Sequence, residues 1–500
     1  MLPVVTPEEM AAVDAAAPEP VEVLVGRAGA ATAREALRLL GGTYGRRVLV
    51  VAGKGNNGAD GRDAAARLAR RGVRVQVVPA GEPVPSGPAS RPHLVIDAAY
   101  GTGFRGTYEA PAIPGVGGAG ADAGADFGAG SGDGPGTGAV PVLAVDIPSG
   151  VSGLTGAVSG SPLPARRTVT FAALKPGLLF PPGRELAGDV VLADIGLDVS
   201  GARIGLVQRA DVAAWVPSRP VAAHKWQAAV VLVAGSPGMT GAAHLAARAA
   251  QRAGAGMVRV ATPGLAVDPG LPTEAVGVPG VDVDQWEQAV AAQLDRAGAL
   301  VVGPGLGTAA GVAERLRRLV TTAAGTPLLV DGDGLTALGK EAPDALAGRA
   351  VPAVLTPHDG EFARLAGAPP GDDRIAAARS LAAQVGAVVL LKGPTTVVAH
   401  PDGRARLSTE GDARLATAGT GDVLSGCIGA LLARGLDPFD AAAAGAWLHG
   451  RAARHGDAEG LVASDVVDLL PLALADLREA AGPDRGRRAV TELPELREDL

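Results

Sequence analysis

Short, nearly continuous apolar runs recur along the first part of the chain: RVLVVAG (Arg47–Gly53), VRVQVVPAG (Val73–Gly81), HLVIDAAYG (His93–Gly101), PVLAVDIPSG (Pro141–Gly150) and RRTVTFAAL (Arg166–Leu174). Runs without polar alternation predict strands buried on both faces, as in a parallel sheet. The clearest helical pattern among them extends from about Asp60 to Arg71 and stops at Gly72. Alternation of this kind predicts a doubly wound α/β sheet.

A second series begins after VPSRPVAAHKWQ, with AVVLVAGS (Ala229–Ser236), MVRVATP (Met257–Pro263), ALVVGPG (Ala299–Gly305), PLLVDGDG (Pro327–Gly334), AVLTPH (Ala353–His358) and AVVLLKG (Ala387–Gly393). Alanine-rich helical stretches alternate with these, including Gly241–Ala253 and Ala309–Thr322. Pro217 and Pro220 punctuate the chain between the two series, so two domains are expected, over 1–214 and 215–485. Two segments depart from the pattern. Gly115–Gly138 is dominated by Gly, Ala, Asp and Ser, with Phe127 its one aromatic residue. It offers too little apolar surface to offset the entropy of ordering it, so a mobile loop without chemistry is expected. The charged end, 486–500, reads as a flexible tail.

At 500 residues, 47% hydrophobic and 19% charged with a net charge of -7, the chain can fill more than one core and has no general attraction for nucleic acid or an anionic membrane. Aromatic residues are only 3%, which argues against base-stacking platforms. The single cysteine, Cys427, excludes an intramolecular disulfide and a cysteine metal cluster, and inside LSGCIGALL it reads as a small buried apolar residue. The acidic start, MLPVVTPEEMAAVD, lacks a secretory pattern, and no apolar stretch approaches the roughly 18 residues that span a bilayer, so a cytoplasmic protein is expected. Lysines number only five, at 54, 175, 225, 340 and 392, against a background of arginine, which raises the interest of each.

GKGNNGADG (Gly53–Gly61) follows a strand and opens a helix, and Gly53, Gly55 and Gly58 fit the spacing of a dinucleotide loop. The acidic residue that would hold a ribose about 20 residues on is missing, since no Asp or Glu lies between Asp63 and Glu82. An ordinary nicotinamide redox domain is therefore disfavoured. What remains is a phosphate-friendly loop whose Asn56, Asn57 and Asp60 can bind a sugar, an amide or a cation, or else a tight turn with left-handed Asn. DAAYGTGFRGT (Asp97–Thr107) and VDIPSG (Val145–Gly150) also follow strands, where an open sheet forms its ligand crevice. Asp60, Asp97 and Asp146 could converge there with Asn57 and Ser149, an all-oxygen set suited to a hard cation rather than zinc. Each acid alone could equally cap a helix.

In the second series AGTGDVLSG (Ala418–Gly426) places two glycines, a threonine and a carboxylate at what reads as a helix opening. Backbone N–H groups there would face an anion while Asp422 stands beside the reacting atom, the equipment for phosphoryl transfer to a hydroxyl. A glycine turn followed by an ordinary helix is the plainer alternative.

The set GNNGADG, DAAYGTGFRG and VDIPSG resembles the epimerase domain of the bifunctional NAD(P)H-hydrate repair enzymes, which is Rossmann-like. GAAHLAARAAQRAGAG, GPGLG, LTPHDGE, LKGPTT and AGTGDVLSG resemble their ADP/ATP-dependent dehydratase domain, which is ribokinase-like. Carried over, the resemblance implies that the hydrated nucleotide lies on Asn56, Asn57, Gly58, Ala59 and Asp60, on Gly101, Thr102, Gly103, Phe104, Arg105, Gly106 and Thr107, and on Asp146. It places potassium on Asn57, Asp97 and Ser149. In the second domain it implies hydrate beside Ala242, Gly305, His358 and Asp422, and magnesium with ADP or ATP on Lys392, Gly393, Pro394, Thr395 and Thr396 and on Gly419, Thr420 and Gly421. Asp146 and Asp422 would carry the chemistry, and a homo-oligomer is expected. Ala59 stands where the family usually has glycine, VDGDGL replaces a commoner DADAL, and HKWQAAV lacks a glycine often found after the HK pair. A ribokinase-like vitamin-precursor kinase and a non-enzymatic scaffold stand as rivals, since fold alone does not fix function.

Overall fold

The computed structural model describes residues 1–84, 91–117, 139–266, 268–281 and 284–478, and the backbone of 490–493. Most of the loop expected over Gly115–Gly138 lies outside the described residues, as does most of 486–500. The chain forms two compact units that divide between Ala202 and Arg203, with Met1 grouped with the second and 482–500 with the first. The expected seam at 214/215 thus falls inside the second unit. Ile204–Leu206 already pairs with Ala405–Ser408 there, and with Gly205 at its centre and Arg203 before it this strand makes no unbroken apolar run in the hydropathy pattern.

The sheet of the first unit is wholly parallel and runs Val490–Leu493, Asp189–Ala193, Arg167–Phe171, Val142–Val145, Leu94–Ala98, Arg47–Ala52, Arg74–Pro79. Part of the expected tail is therefore a strand. Val48, Val50 and Ala52 point into a core shared with the helices Val21–Leu40 and Asn56–Arg70, while Leu49 and Val51 meet Tyr108, Ile113, Val140 and Leu163 on the other face. Burial on both faces is why this strand reads as a continuous apolar run. Strand order reverses between Arg47–Ala52 and Leu94–Ala98, and sheets of this order bind ligands at that switch point.

The helix expected from Asp60 opens earlier, at Asn56. Its glycines permit close packing rather than a loop: a Cβ on Gly58 would lie 2.0 Å from the Gly53 carbonyl oxygen, and one on Gly61 would lie 2.4 Å from the Ala98 Cβ. The first helical turn is thereby pressed onto the ends of the two strands at the switch point.

In the second unit the sheet runs Ile204–Leu206, Ala405–Ser408, Thr396–Ala399, Val388–Leu391, Val354–Leu355, Leu328–Val330, Ala299–Val302, Ala229–Val233, Met257–Ala261, Ala275–Gly277. The pairings on either side of Thr396–Ala399 are antiparallel, so LKGPTT is the turn of a hairpin. Strand order reverses between Ala229–Val233 and Ala299–Val302. The helix Thr420–Ala433 is buried along nearly its whole length. Its glycines let it pack closely on the helix Thr240–Arg252 and on the sheet: a Cβ on Gly426 would lie 2.1 Å from the Ala246 carbonyl oxygen, and one on Gly429 would lie 2.5 Å from Val301. Cys427 sits within this packing, fully buried with its thiol pushed up to about 12 by desolvation, an inert core residue as expected.

Candidate functional site

In each unit most of the predicted residues lie at the carboxyl ends of the parallel strands, on and beside the switch point. In the first, a cleft of about 1010 Å³ is lined by Asn56, Asn57, Asp60, Gly101, Thr102, Gly103, Phe104, Arg105 and Asp146. Gly58, Ala59, Gly106 and Thr107 are not among the lining residues, and Gly58 acts from behind through its contact with Gly53. Gly101 lies between two of these residues: a Cβ there would stand 3.5 Å from both the Asn57 Cβ and Asp146 Oδ2, an ordinary contact distance.

Asp146 adopts left-handed backbone, φ 65°, at the end of Val142–Val145. Lys175 Nζ donates to its Oδ1 at 2.6 Å, to Thr170 Oγ1 at 3.0 Å and to the Phe171 carbonyl at 3.0 Å, and Thr170 Oγ1 donates to the same Asp146 Oδ1 at 3.0 Å. The sequence motifs do not single out Lys175 or Thr170. The available signal is the rarity of lysine and the position of Lys175 just beyond a predicted strand. Burial, reinforced by the charge of Asp146, pushes Asp60 up to about 8, so it carries a proton at neutral pH.

Asp97 is fully buried and receives Ser149 N–H at 2.9 Å and Ser149 Oγ at 2.7 Å, while Tyr100 N–H donates to Ser149 Oγ at 2.9 Å. Burial outweighs these bonds and raises the Asp97 carboxyl above its ordinary range. Both amide atoms of Asn57 and the hydroxyl of Tyr108 are buried without a partner among the described residues. Buried polar atoms of this kind call for a ligand, a water or an ion. The all-oxygen donors Asn57 Oδ1, Asp97 and Ser149 fit a hard cation of low charge.

In the second unit Gly305, φ 58°, packs where its Cβ would lie 2.7 Å from Ala242 Cβ, and Ser236 Oγ donates to the Gly305 carbonyl at 3.0 Å. The GPGLG turn and the start of Thr240–Arg252 are thus joined. Asp422 occupies the first turn of Thr420–Ala433, behind Gly419 at φ 90°. Burial, then the neighbouring Asp331, pushes it up to about 7. Lys392 Nζ donates to Asp331 Oδ1 at 2.6 Å and lies 4.0 Å from Glu361 Oε2, and Ser425 Oγ donates to Asp331 Oδ2 at 2.7 Å. A Cβ on Gly421 would lie 3.4 Å from Lys392 Nζ, which brings the hairpin turn against the glycine turn. Burial works against the Lys392 charge, but Asp331 and Glu361 outweigh it and hold its pKa above the ordinary value.

His358 caps the helix Asp359–Ala366: its Nδ1 accepts from Gly360 N–H at 3.0 Å, and Glu361 Oε2 accepts from His358 N–H at 2.8 Å. Accepting at Nδ1 leaves Nε2 as the site of the neutral ring's proton. Glu361, Asp331 and Ser425 are further members of the site: each lies within a segment quoted from the sequence, Ser425 in AGTGDVLSG, but none is given a role there. Asp331 lies in the VDGDGL segment that departs from the common pattern, and Glu361 lies in LTPHDGE.

The comparisons with known proteins match this two-part arrangement. Residues 230–471 match the family described as NAD(P)H-hydrate dehydratase, and residues 21–86 and 78–177 match the YjeF-related protein N-terminus. The bifunctional NAD(P)H-hydrate repair enzyme Nnr of Mycobacterium tuberculosis is 43% identical over 82% of this chain and 83% of its own. The enzyme of the same name from Salinibacter ruber is 38% identical over 86% and 87%, and that from Escherichia coli is 34% identical over 85% and 84%. A solved ADP/ATP-dependent NAD(P)H-hydrate dehydratase from Bacillus subtilis, co-crystallized with ATP/Mg2+, is 31% identical over 55% of this chain and 98% of that one, with a TM-score of 0.47. Identity at this level, over most of both chains and through both units, places the chain in the family of bifunctional NAD(P)H-hydrate repair enzymes.

Proposed function

We propose that the chain restores NAD(P)H from its hydrate at two sites, the first unit exchanging the R and S epimers and the second dehydrating the S epimer with ADP or ATP. The substrate is a nicotinamide ring whose 5,6 double bond has added water, leaving a hydroxyl at C6. Hydroxide leaves poorly, so the second site phosphorylates it. Asp422 takes the hydroxyl proton, the C6 oxygen bonds to the terminal phosphorus, and the bond from that phosphorus to the nucleotide breaks. The amides of Gly419, Thr420 and Gly421 hold the moving group. Inorganic phosphate then departs as the ring nitrogen lone pair forms an iminium, and loss of the C5 proton restores the double bond. Magnesium would enter with the nucleotide and offset the charge of its phosphates, since among the described residues no three carboxylates are placed to hold a metal by themselves.

A chiral pocket sets only one epimer against Asp422. In the first site the hydroxyl leaves as water and water returns to the opposite face. Asp146, oriented by Lys175 and Thr170, handles the proton, and the protonated Asp60 lines the same cleft as a donor. Asn57, Asp97 and Ser149 would hold potassium, which would fix the loop ends around the nicotinamide nucleotide. The orphaned amide of Asn57 supports that assignment.

The observation that carries the reading is the buried, raised Asp422 at the N-terminus of a long helix, with the glycine turn beside it. Mixed hydrate epimers with ADP or ATP test it. Return of the reduced-nicotinamide absorbance together with free phosphate is expected, whereas a stable phosphorylated product without that absorbance would mark a small-molecule kinase. Thallium soaking tests the cation site: an anomalous peak within reach of Asn57, Asp97 and Ser149 is expected, and its absence at saturating thallium would remove potassium from this account.

A further inference from the structure

Arg374 opens the helix Arg374–Val385 and belongs to none of the motifs above. Its guanidinium forms a two-pronged pair with Asp359, Nη1 to Oδ2 at 3.0 Å and Nη2 to Oδ1 at 2.8 Å, and the same Nη2 donates to the Lys392 carbonyl at 2.7 Å. A Cβ on Gly393 would lie 3.0 Å from that nitrogen, so the guanidinium lies flat against the hairpin turn. The Lys392 N–H in turn donates to the Pro357 carbonyl at 2.9 Å. Residues 357–359, around the capping histidine, and residues 392–393, on the nucleotide turn, are thus tied twice, once by backbone and once through Arg374.

We infer that Arg374 is a positioning residue that couples the hydrate subsite at His358 to the nucleotide subsite at Lys392–Thr396, so that each ligand strengthens the binding of the other. The inference rests on the two subsites proposed above. A planar fork is required to serve two partners at once: an ammonium is a point charge and cannot hold both Asp359 oxygens and a carbonyl in one plane. Asp359 is more than half exposed and contributes little as an isolated surface ion pair. Its consequence is geometric. With the strut gone, only the backbone bond remains of these two ties, and phosphoryl transfer is sensitive to displacements of a fraction of an ångström.

The test is a cycle of Asp359→Asn, Arg374→Gln and the double variant. ADP is varied at several hydrate concentrations to obtain the factor by which each ligand lowers the dissociation constant of the other. In the native enzyme that factor is expected to be about tenfold, and each single variant should bring it close to one, with the double variant no lower than either single. Arg374→Lys should keep the charge and still lose most of the coupling. A purely structural loss would lower the melting temperature and leave the factor unchanged. Unchanged coupling in Arg374→Gln, or single effects that multiply in the double variant, would overturn the strut. Gly393→Val separates this from failure of the underlying reading. If that variant loses ADP while Arg374→Gln behaves as wild type, the strut is wrong and the nucleotide turn stands. If both bind ADP as wild type, the nucleotide lies elsewhere and the inference falls with it.

Discussion

Lys175→Met keeps the length of the side chain and removes the ammonium that orients Asp146. The lysine side chain is 2% exposed and that of Asp146 16%, so the pair is shielded and its loss leaves a carboxylate with Thr170 as its one side-chain donor among the described residues. Breaking a buried pair on one side costs about 3–5 kcal/mol. Because Asp146 borders the cleft, water reaches it, and the lower end, about 3 kcal/mol, applies. For a unit of this size that is a fall in melting temperature of about 6–12 °C, read by calorimetry as a shift of the first unit's transition. Adding Asp146→Asn removes the stranded charge. Asparagine accepts the left-handed backbone at this position as aspartate does, so no conformational cost is added, and the double variant should recover about 2 kcal/mol of the loss. Epimer exchange, followed by separating the R and S hydrates over time, should be lost in both variants. A Lys175→Met protein that melts within about 2 °C of wild type, or a double variant as unstable as the two singles summed, would refute the pairing argument.

Asp422→Asn should abolish nucleotide-dependent recovery of NAD(P)H while epimer exchange persists, and recovery at near the native rate would remove Asp422 as the base. With Asp422 raised to about 7 in the nucleotide-free protein, kcat/KM for the nucleotide should rise with pH through about 7 as the base ionises. The sign for stability is opposite: the folded state holds this proton more tightly than the unfolded chain, so stability falls as pH rises from the ordinary carboxyl range to about 7 and is level above it. Asp422→Asn should flatten that slope in thermal melts. Gly58→Ala gains about 1 kcal/mol of helix propensity, but its Cβ would meet the Gly53 carbonyl at 2.0 Å, and forced repacking of that kind costs about 1–3 kcal/mol. A net loss of stability and a raised KM for hydrate in the epimerase assay are expected, and an unchanged KM would show that the loop does not contact substrate.

The parallel strands are legible because each is buried on both faces and so reads as an unbroken apolar run. Leu49, Val50 and Val51 face alternate layers in this way, and their strand pairs along its length with the equally buried Leu94–Ala98. Strands that the pattern does not show, such as Ile204–Leu206, Ala275–Gly277, Thr396–Ala399 and Ala405–Ser408, carry Gly205, Gly277, Thr396, Arg406 or Ser408 among their few residues, so none makes the unbroken apolar run by which the equally short Leu328–Val330 and Val388–Leu391 are recognised. Asp189–Ala193 is longer, but its four apolar residues are bracketed by Asp189 and Asp194, which makes the run weaker than those beside it. Of the sites, the residues on strand ends and glycine turns are legible from motif spacing. Lys175 and Arg374 are not, because each acts across the fold, Lys175 on Asp146 and Arg374 on Asp359 and Lys392, and nothing in local spacing records such partners. The glycines of GNNGADG mislead for a related reason: they read as a loop signal, yet they serve a helix pressed against neighbouring backbone.

The two sites face different electrostatic problems. In the first, Lys175 pairs with Asp146 and Asp60 is pushed up to about 8, so the proposed departure and return of water would take place beside acids that are largely neutralised. In the second, Asp331, Asp333, Glu361 and Asp422 are set against the ammonium of Lys392, whose nearest bond is already to Asp331. That excess of negative charge is among the reasons Asp422 holds its proton up to about 7, and it would repel the phosphates of an unaccompanied nucleotide. A nucleotide that arrives with a divalent cation would reverse both effects, since added positive charge favours ionised carboxylates. In the proposed mechanism Asp422 would then ionise as the phosphoryl donor binds. Hydrate bound alone would meet a carboxyl still partly protonated, so that its hydroxyl would not be activated until there is a phosphorus for it to attack.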